Sequence, residues 1–138
     1  MRENQKYKFL EHTADIKFRV YGKGMNELFE NVILALSEYI SKGEKIQIKK
    51  KNKFNISGED NEQLLYKFID EIIYLLDAKK IICVKGKVKI NGKKLECEIE
   101  GDDAKKYNLD PIKAATYSEM YIKQNKNKLW EAQAVVDI

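Results

Sequence analysis

IKFRVYGKGMNELFENVILALSEYI, residues 16–40, changes its hydrophobic period once, and that change decides the fold class. Ile16, Phe18 and Val20 alternate with Lys17 and Arg19, the pattern of a half-buried strand with one apolar face. From Met25 the apolar spacing becomes three and four residues, through Leu28, Phe29, Val32, Leu36 and Tyr39. That spacing predicts an amphipathic helix over residues 25–40, ended by Ser41-Lys42-Gly43 with the glycine in the left-handed cap position. A strand that feeds a helix with a wide apolar stripe needs a sheet on which to bury it.

Working outward, YKFLEHTADIKFRVYGKG (7–24) reads as two extended pieces joined through EHTAD. In KIQIKKKNKF (45–54), Ile46, Ile48 and Phe54 fall on even positions with lysines mostly between them. This predicts a strand with a solvated lysine face guarding a sheet edge, and its rival reading is an RNA-contact strip. Asp60, with Gln63 three residues on, opens a second helix. Its apolar stripe runs through Leu64, Leu65, Phe68, Ile69, Ile72, Leu75 and Leu76 to about Asp77. Asn91-Gly92 then predicts a hairpin over about 81–100, in which a two-residue turn pairs Ile90 with Lys93, Val88 with Leu95 and Gly86 with Cys97. That register puts Cys83 and Cys97 on opposite faces, poorly placed for a disulfide, and both read as buried structural thiols. In the polar stretch GDDAKKYNLDP (101–111), Asp102 and Asp103 read as turn residues before ligands. The last strands are ATYSEMYIKQ (115–124) and LWEAQAVVDI (129–138). Strands joined by hairpins favour antiparallel pairing. The expectation is one α+β domain over residues 1–138, with two amphipathic helices packed on a largely antiparallel sheet.

Composition narrows the function classes. At 138 residues, with 35% charged and 43% hydrophobic, the chain reads as one globular unit. No apolar run approaches the roughly 20 residues that span a bilayer. MRENQKYKFLEHT (1–13) lacks a signal-peptide pattern, so the expected compartment is cytoplasmic and no membrane partner is expected. The formal net charge of +4 is modest and carried almost entirely by lysine, with Arg2 and Arg19 the only arginines. Sequence-specific base readout leans on arginine and is not suggested.

Few residues could carry chemistry. There is no Gly-rich phosphate loop and no zinc-binding histidine pattern, and His12 is the only histidine. His12 reads either as an imidazole fixing the bend through the backbone or as a catalytic group. Asp15 falls at a strand start, and Asp137 with the carboxyl group of Ile138 at a strand end, where the chain stops with no tail. If the first and last strands are neighbours, these oxygens could gather around a hard cation such as Ca²⁺, with Mg²⁺ the stricter alternative. The plainer reading leaves Asp15 closing a turn and Asp137 exposed.

HTADI (12–16), YGK (21–23), the NELFENVILAL helix, LLYKFIDEIIYLLD (64–77), PIKAATY (111–117) and the terminal WEAQAVVDI (130–138) together resemble the archease family over nearly the whole chain. Two positions depart from the family pattern: Ser118 stands where a histidine usually follows the KAxTY motif, and Asp102 follows Gly101 where glutamate is common. The resemblance implies an accessory protein of an RtcB-type RNA-splicing ligase, aiding guanylylation and multiple turnover in tRNA splicing without joining RNA itself. It reaches tRNA only through the ligase. It also implies a metal site, calcium or another divalent cation, on Asp15, Asp137 and Ile138, with His12 and Lys113 as ligase-contact residues. Three rivals remain: a chaperone-like modulator of another tRNA-processing enzyme such as a methyltransferase, an enzyme using His12 and Asp15 on a small phosphorylated substrate, and an RNA-binding module built on the lysine-rich strand.

Overall fold

The structure, a computed structural model, describes residues 5–11 and 14–138. Strands β1 (Tyr7–Leu10) and β2 (Asp15–Gly22) precede helix α1 (Met25–Ser41). Strand β3 (Lys50–Ser57), helix α2 (Asn61–Asp77), β4 (Ile81–Asn91) and β5 (Lys94–Asp103) follow. A single 3₁₀ turn (Ala104–Lys106) leads to β6 (Ala114–Ala115), β7 (Tyr121–Gln124) and β8 (Trp130–Asp137). All strand pairs among the described residues are antiparallel. They form two sheets where one was expected. The first runs β1-β2-β8-β6, with β7 also pairing β8, and the second runs β3-β5-β4.

Helix α1 packs against β2 of one sheet and β4 of the other, which explains why it is buried on so much of its circumference. Its polar side chains tie the two sheets together. Asn26 and Glu30 accept from the backbone N–H groups of Ile90 and Val88 on the edge of β4, and Asn31 donates to the Tyr21 carbonyl in β2. The β4 edge is thereby covered. At its end α1 departs from expectation, since Lys42 takes the left-handed conformation (φ 59°) ahead of Gly43 (φ 77°). The N–H groups of both turn back to Tyr39 and Glu38 carbonyls. Helix α2 starts as its sequence dictates, with the Asp60 carboxylate accepting from the Gln63 N–H at 2.8 Å. The Gln63 side chain reaches back to the Glu59 N–H at 2.8 Å. Phe68 of α2 meets Phe29 of α1 edge-on at 5.2 Å and Phe54 of β3 at 5.9 Å, closing the core where three elements converge. No helix among the described residues is long and apolar enough to cross a membrane.

Three local expectations are corrected. The β4–β5 turn is Gly92-Lys93, so Asn91 pairs with Lys94 and Val88 with Cys97. Gly92 supplies the positive φ (65°) that a type II′ turn needs at its first central position. The slip is two residues along the partner, so side chains keep their faces. Nearer the start of β4 the register shifts between Cys83 and Lys85, and this bulge returns Cys83 to the core beside Gly101. Both cysteines are free and buried, and burial pushes both thiols up to about 12. Gly101 is required there, because a Cβ would lie 1.9 Å from the Ile82 carbonyl oxygen. The lysine-rich strand begins at Lys50, later than expected, and pairs only with β5, leaving an open edge. Ile46 is buried before it, while Ile48 is exposed.

Asp102 is the largest departure. It is fully buried, accepting from the Tyr107 hydroxyl (2.6 Å), the Asp103 N–H (2.8 Å) and the Lys106 ammonium (3.2 Å). The Tyr107 hydrogen bond holds its carboxyl below the usual aspartate range. Tyr107 in turn accepts from the Gln47 N–H, so one buried carboxylate organises the whole 101–107 segment. A depressed folded-state pKa contributes stability that is present above the unfolded value of about 3.9 and lost as pH falls through the folded one. Tyr107→Phe is therefore expected to lower the melting temperature at neutral pH and to shrink the further loss on acidification, because Asp102 then titrates closer to its unfolded value. Thermal melts from neutrality to about pH 3 check this, and a difference between variant and wild type that stays the same at every pH would contradict it.

Candidate functional site

Strands β2 and β8 lie side by side over their full length, from Asp15 opposite Asp137 to Gly22 opposite Trp130. Even positions (Phe18, Val20, Ala132, Ala134, Val136) face the helices and are buried. Odd positions therefore share the face turned away from the helices. Asp15 and Asp137 stand directly opposite on that face, an arrangement that puts Cβ atoms about 4.5–5.5 Å apart. Ile138, 39% exposed, follows immediately. The third segment arrives at the same end of the sheet. The Lys113 N–H donates to the Asp137 carbonyl at 2.8 Å and Ala114 pairs with Asp137, while the Lys113 side chain is exposed.

Asp15, Asp137, Ile138 and Lys113 are thus gathered at one sheet end from three distant stretches of chain. His12 lies outside the described residues. Ala14, immediately before Asp15, adopts a left-handed conformation (φ 66°) that costs an alanine about 1–2 kcal/mol.

Expected as one continuous strand, residues 115–124 are broken. β6 and β7 both pair with β8 on the same side, and residues 116–120 loop out between them. The loop is tied down by side chains. The Thr116 hydroxyl donates to the Val135 carbonyl (2.7 Å), satisfying a β8 group that the missing ladder would have paired. Arg19 donates to the Gln133 carboxamide oxygen, whose nitrogen donates to the Glu119 carbonyl. The Glu119 carboxylate meets the Lys17 ammonium at 2.9 Å. Tyr117 stacks on Tyr66 of α2, with ring centroids 4.2 Å apart. Glu119 takes a positive φ (54°) within this latch. Sequence reasoning missed Lys17, Glu119 and Gln133 as supports of the site. Lys17 and Gln133 were readable as odd-face residues, but no local signal marks the loop that brings Glu119 over them.

The donors at the sheet end are all oxygens, the type a hard divalent cation prefers. Among the described residues, no group of three or more His, Cys, Asp and Glu side chains could by itself hold a metal ion. Two opposed carboxylates are what the described side chains supply. A cation taking six to eight oxygens would draw the remainder from backbone carbonyls and water.

Comparison with known proteins agrees with this architecture over its whole length. The profile of the Archease protein family (MTH1598/TM1083) matches residues 7–138. Protein archease of Pyrococcus furiosus is 38% identical over 145 aligned positions covering 100% of each chain, and that of Sulfurisphaera tokodaii is 37% identical, covering 97% of this chain and 99% of the relative. The solution structure of Methanobacterium thermoautotrophicum protein 1598 superposes with a TM-score of 0.81 at 29% identity, covering 96% of this chain and 98% of the other. An archease from Thermotoga maritima, described as a possible chaperone, shares the fold with a TM-score of 0.67 at 21% identity, covering 95% and 96% of the two chains. On its sequence and its fold together, the chain belongs to the archease family.

Proposed function

We propose that this chain is a non-catalytic accessory protein of an RtcB-type RNA-splicing ligase in the cytoplasm, promoting guanylylation of the ligase and its repeated turnover in tRNA splicing. The observation that carries the reading is the register of β2 on β8, which sets Asp15 opposite Asp137 with Lys113 bound to the same residue. Such a sheet end offers carboxylates and an exposed ammonium on one tip, suited to entering an active site where phosphates and their counter-ions meet. Asp15, Asp137 and Ile138 would hold calcium or another divalent cation. When bound, that ion supplies positive charge where phosphate oxygens gain negative charge during guanylyl transfer. Lys113 and, by its position in HTAD, His12 are the ligase-contact residues. Tying residues 116–120 to Lys17, Gln133 and Tyr66 keeps the tip rigid while it docks.

The test is RNA ligation with catalytic amounts of ligase, with and without this protein. Several turnovers per ligase are expected only with it present, and no joining by the protein alone. Equal turnover in both reactions would remove the ligase from the account and favour another client, such as a tRNA methyltransferase.

A further inference from the structure

The helix-distal face of the five-stranded sheet is electrically polarised along its strands. Asp15 and Asp137 occupy one end. Four residues on, about 13 Å along β2, Arg19 pairs with Lys8 of β1, and Tyr21 pairs with Glu131, itself opposite Lys123 of β7. Lys8, Arg19, Tyr21, Lys23, Asn125 and Glu131 line a cleft of about 580 Å³ between the β1–β2 hairpin and the β7–β8 turn. Lys6, two residues before Lys8, is exposed on the same side. Among the described residues Glu131 is the one carboxylate lining the cleft, and it accepts the Tyr121 hydroxyl. The Lys123 ammonium lies 4.8 Å from the centre of the Tyr121 ring.

The lysines of the second sheet are arranged differently. Its central strand places Glu100 between Lys51 and Lys85, Glu98 between Lys53 and Lys87, and Glu96 between Asn55 and Lys89. Every carboxylate of that row faces at least one lysine across the ladder, and Lys53 reaches Glu98 at 3.6 Å. Those lysines read as a solvated ladder. Around the first sheet's cleft Lys123 stands opposite Glu131 but Lys8 faces Arg19, so among the described residues cations outnumber carboxylates there, and two tyrosine rings stand beside them.

We propose that this cationic end of the first sheet holds a short stretch of single-stranded RNA, with Lys6, Lys8, Arg19, Lys23 and Lys123 along its phosphates and Tyr21 and Tyr121 beside its bases. Charge complementarity selects a polyanion, and aromatic side chains between cations suit stacked bases better than an acidic peptide. The proposal does not depend on the ligase reading, because it concerns the isolated protein.

The experiment is fluorescence-anisotropy titration of a labelled oligouridylate with the full chain over a range of salt. With about four phosphates neutralised, the log–log salt slope should be about −3, weakening binding about 50-fold between roughly 50 and 200 mM salt. Lys23→Glu combined with Lys123→Glu, both at exposed positions, should weaken binding at least tenfold. Lys51→Glu combined with Lys53→Glu on the other sheet should change it less than twofold. Circular-dichroism melts establish that each variant is folded, and the corresponding alanine pairs stand in for any that is not. Unchanged affinity in the cleft variant, an equal loss in the other-sheet variant, or equally tight binding of an oligoglutamate peptide of matched length would each overturn the proposal.

Discussion

Asp15→Ala is expected to abolish stimulation of ligase turnover while leaving the fold intact. Both halves follow from where Asp15 lies. It is at the first position of β2, half-buried and directly opposite another carboxylate, so its side chain is outside the helix-facing core. Like charges facing each other across a strand pair are mildly destabilising, so removing one should change stability by no more than about 1 kcal/mol in either direction. The functional loss should be near complete, because one of only two opposed carboxylates at the tip disappears. Asp15→Asn should behave the same way, which separates charge from shape. A second readout needs no ligase. Calcium should raise the melting temperature of the wild-type protein, by the equivalent of about 2.7 kcal/mol at a hundredfold excess over Kd, and should leave Asp15→Ala unmoved. Full stimulation by the alanine variant, or equal calcium shifts in both proteins, would remove Asp15 from the role assigned to it.

Phe68→Ala should cost about 4 kcal/mol of stability, a large part of the roughly 5–15 kcal/mol that holds a domain folded. Phe68 is fully buried and touches the rings of Phe29 in α1 and Phe54 in β3. Deleting its ring opens a cavity between both helices and the three-stranded sheet, a place where neighbours fixed in three separate elements cannot collapse together. Phe68→Leu, which refills most of that volume, should cost no more than about 1.5 kcal/mol. Urea unfolding with an unchanged slope measures both. A loss below about 1 kcal/mol for the alanine variant would mean that the three elements do not meet on this side chain.

What could be read from the sequence was whatever neighbours along the chain encode. The apolar spacing in α1 and α2, the alternation in β2, the Asp60–Gln63 cap and the presence of a β4–β5 hairpin all depend on residues at most a few positions apart. Their physical signals survive without any partner. The face on which Asp15 would point was legible for the same reason. The positions of Asp15 at a strand start and of Asp137 and Ile138 at a strand end suggested a shared site, and the resemblance to archeases pointed to the same three residues.

Only the tertiary structure decided how the pieces combine. Hairpin register moved by two residues because Gly92, rather than Asn91, took the first turn position. The bulge after Cys83 reversed the face assigned to that thiol, since a single extra residue flips everything beyond it. Asp102, in a run that resembles any polar turn, is buried because Tyr107 and Lys106 fold back onto it. The strand expected over 115–124 broke because α2 offers Tyr66 to Tyr117, and Lys17 and Gln133 offer better partners to Glu119 than a continuous ladder would. The pairing of Asp15 with Asp137 belongs to this second group. Periodicity shows which way a carboxylate points, and the choice of neighbouring strand, settled by contacts more than a hundred residues apart, determines what it faces.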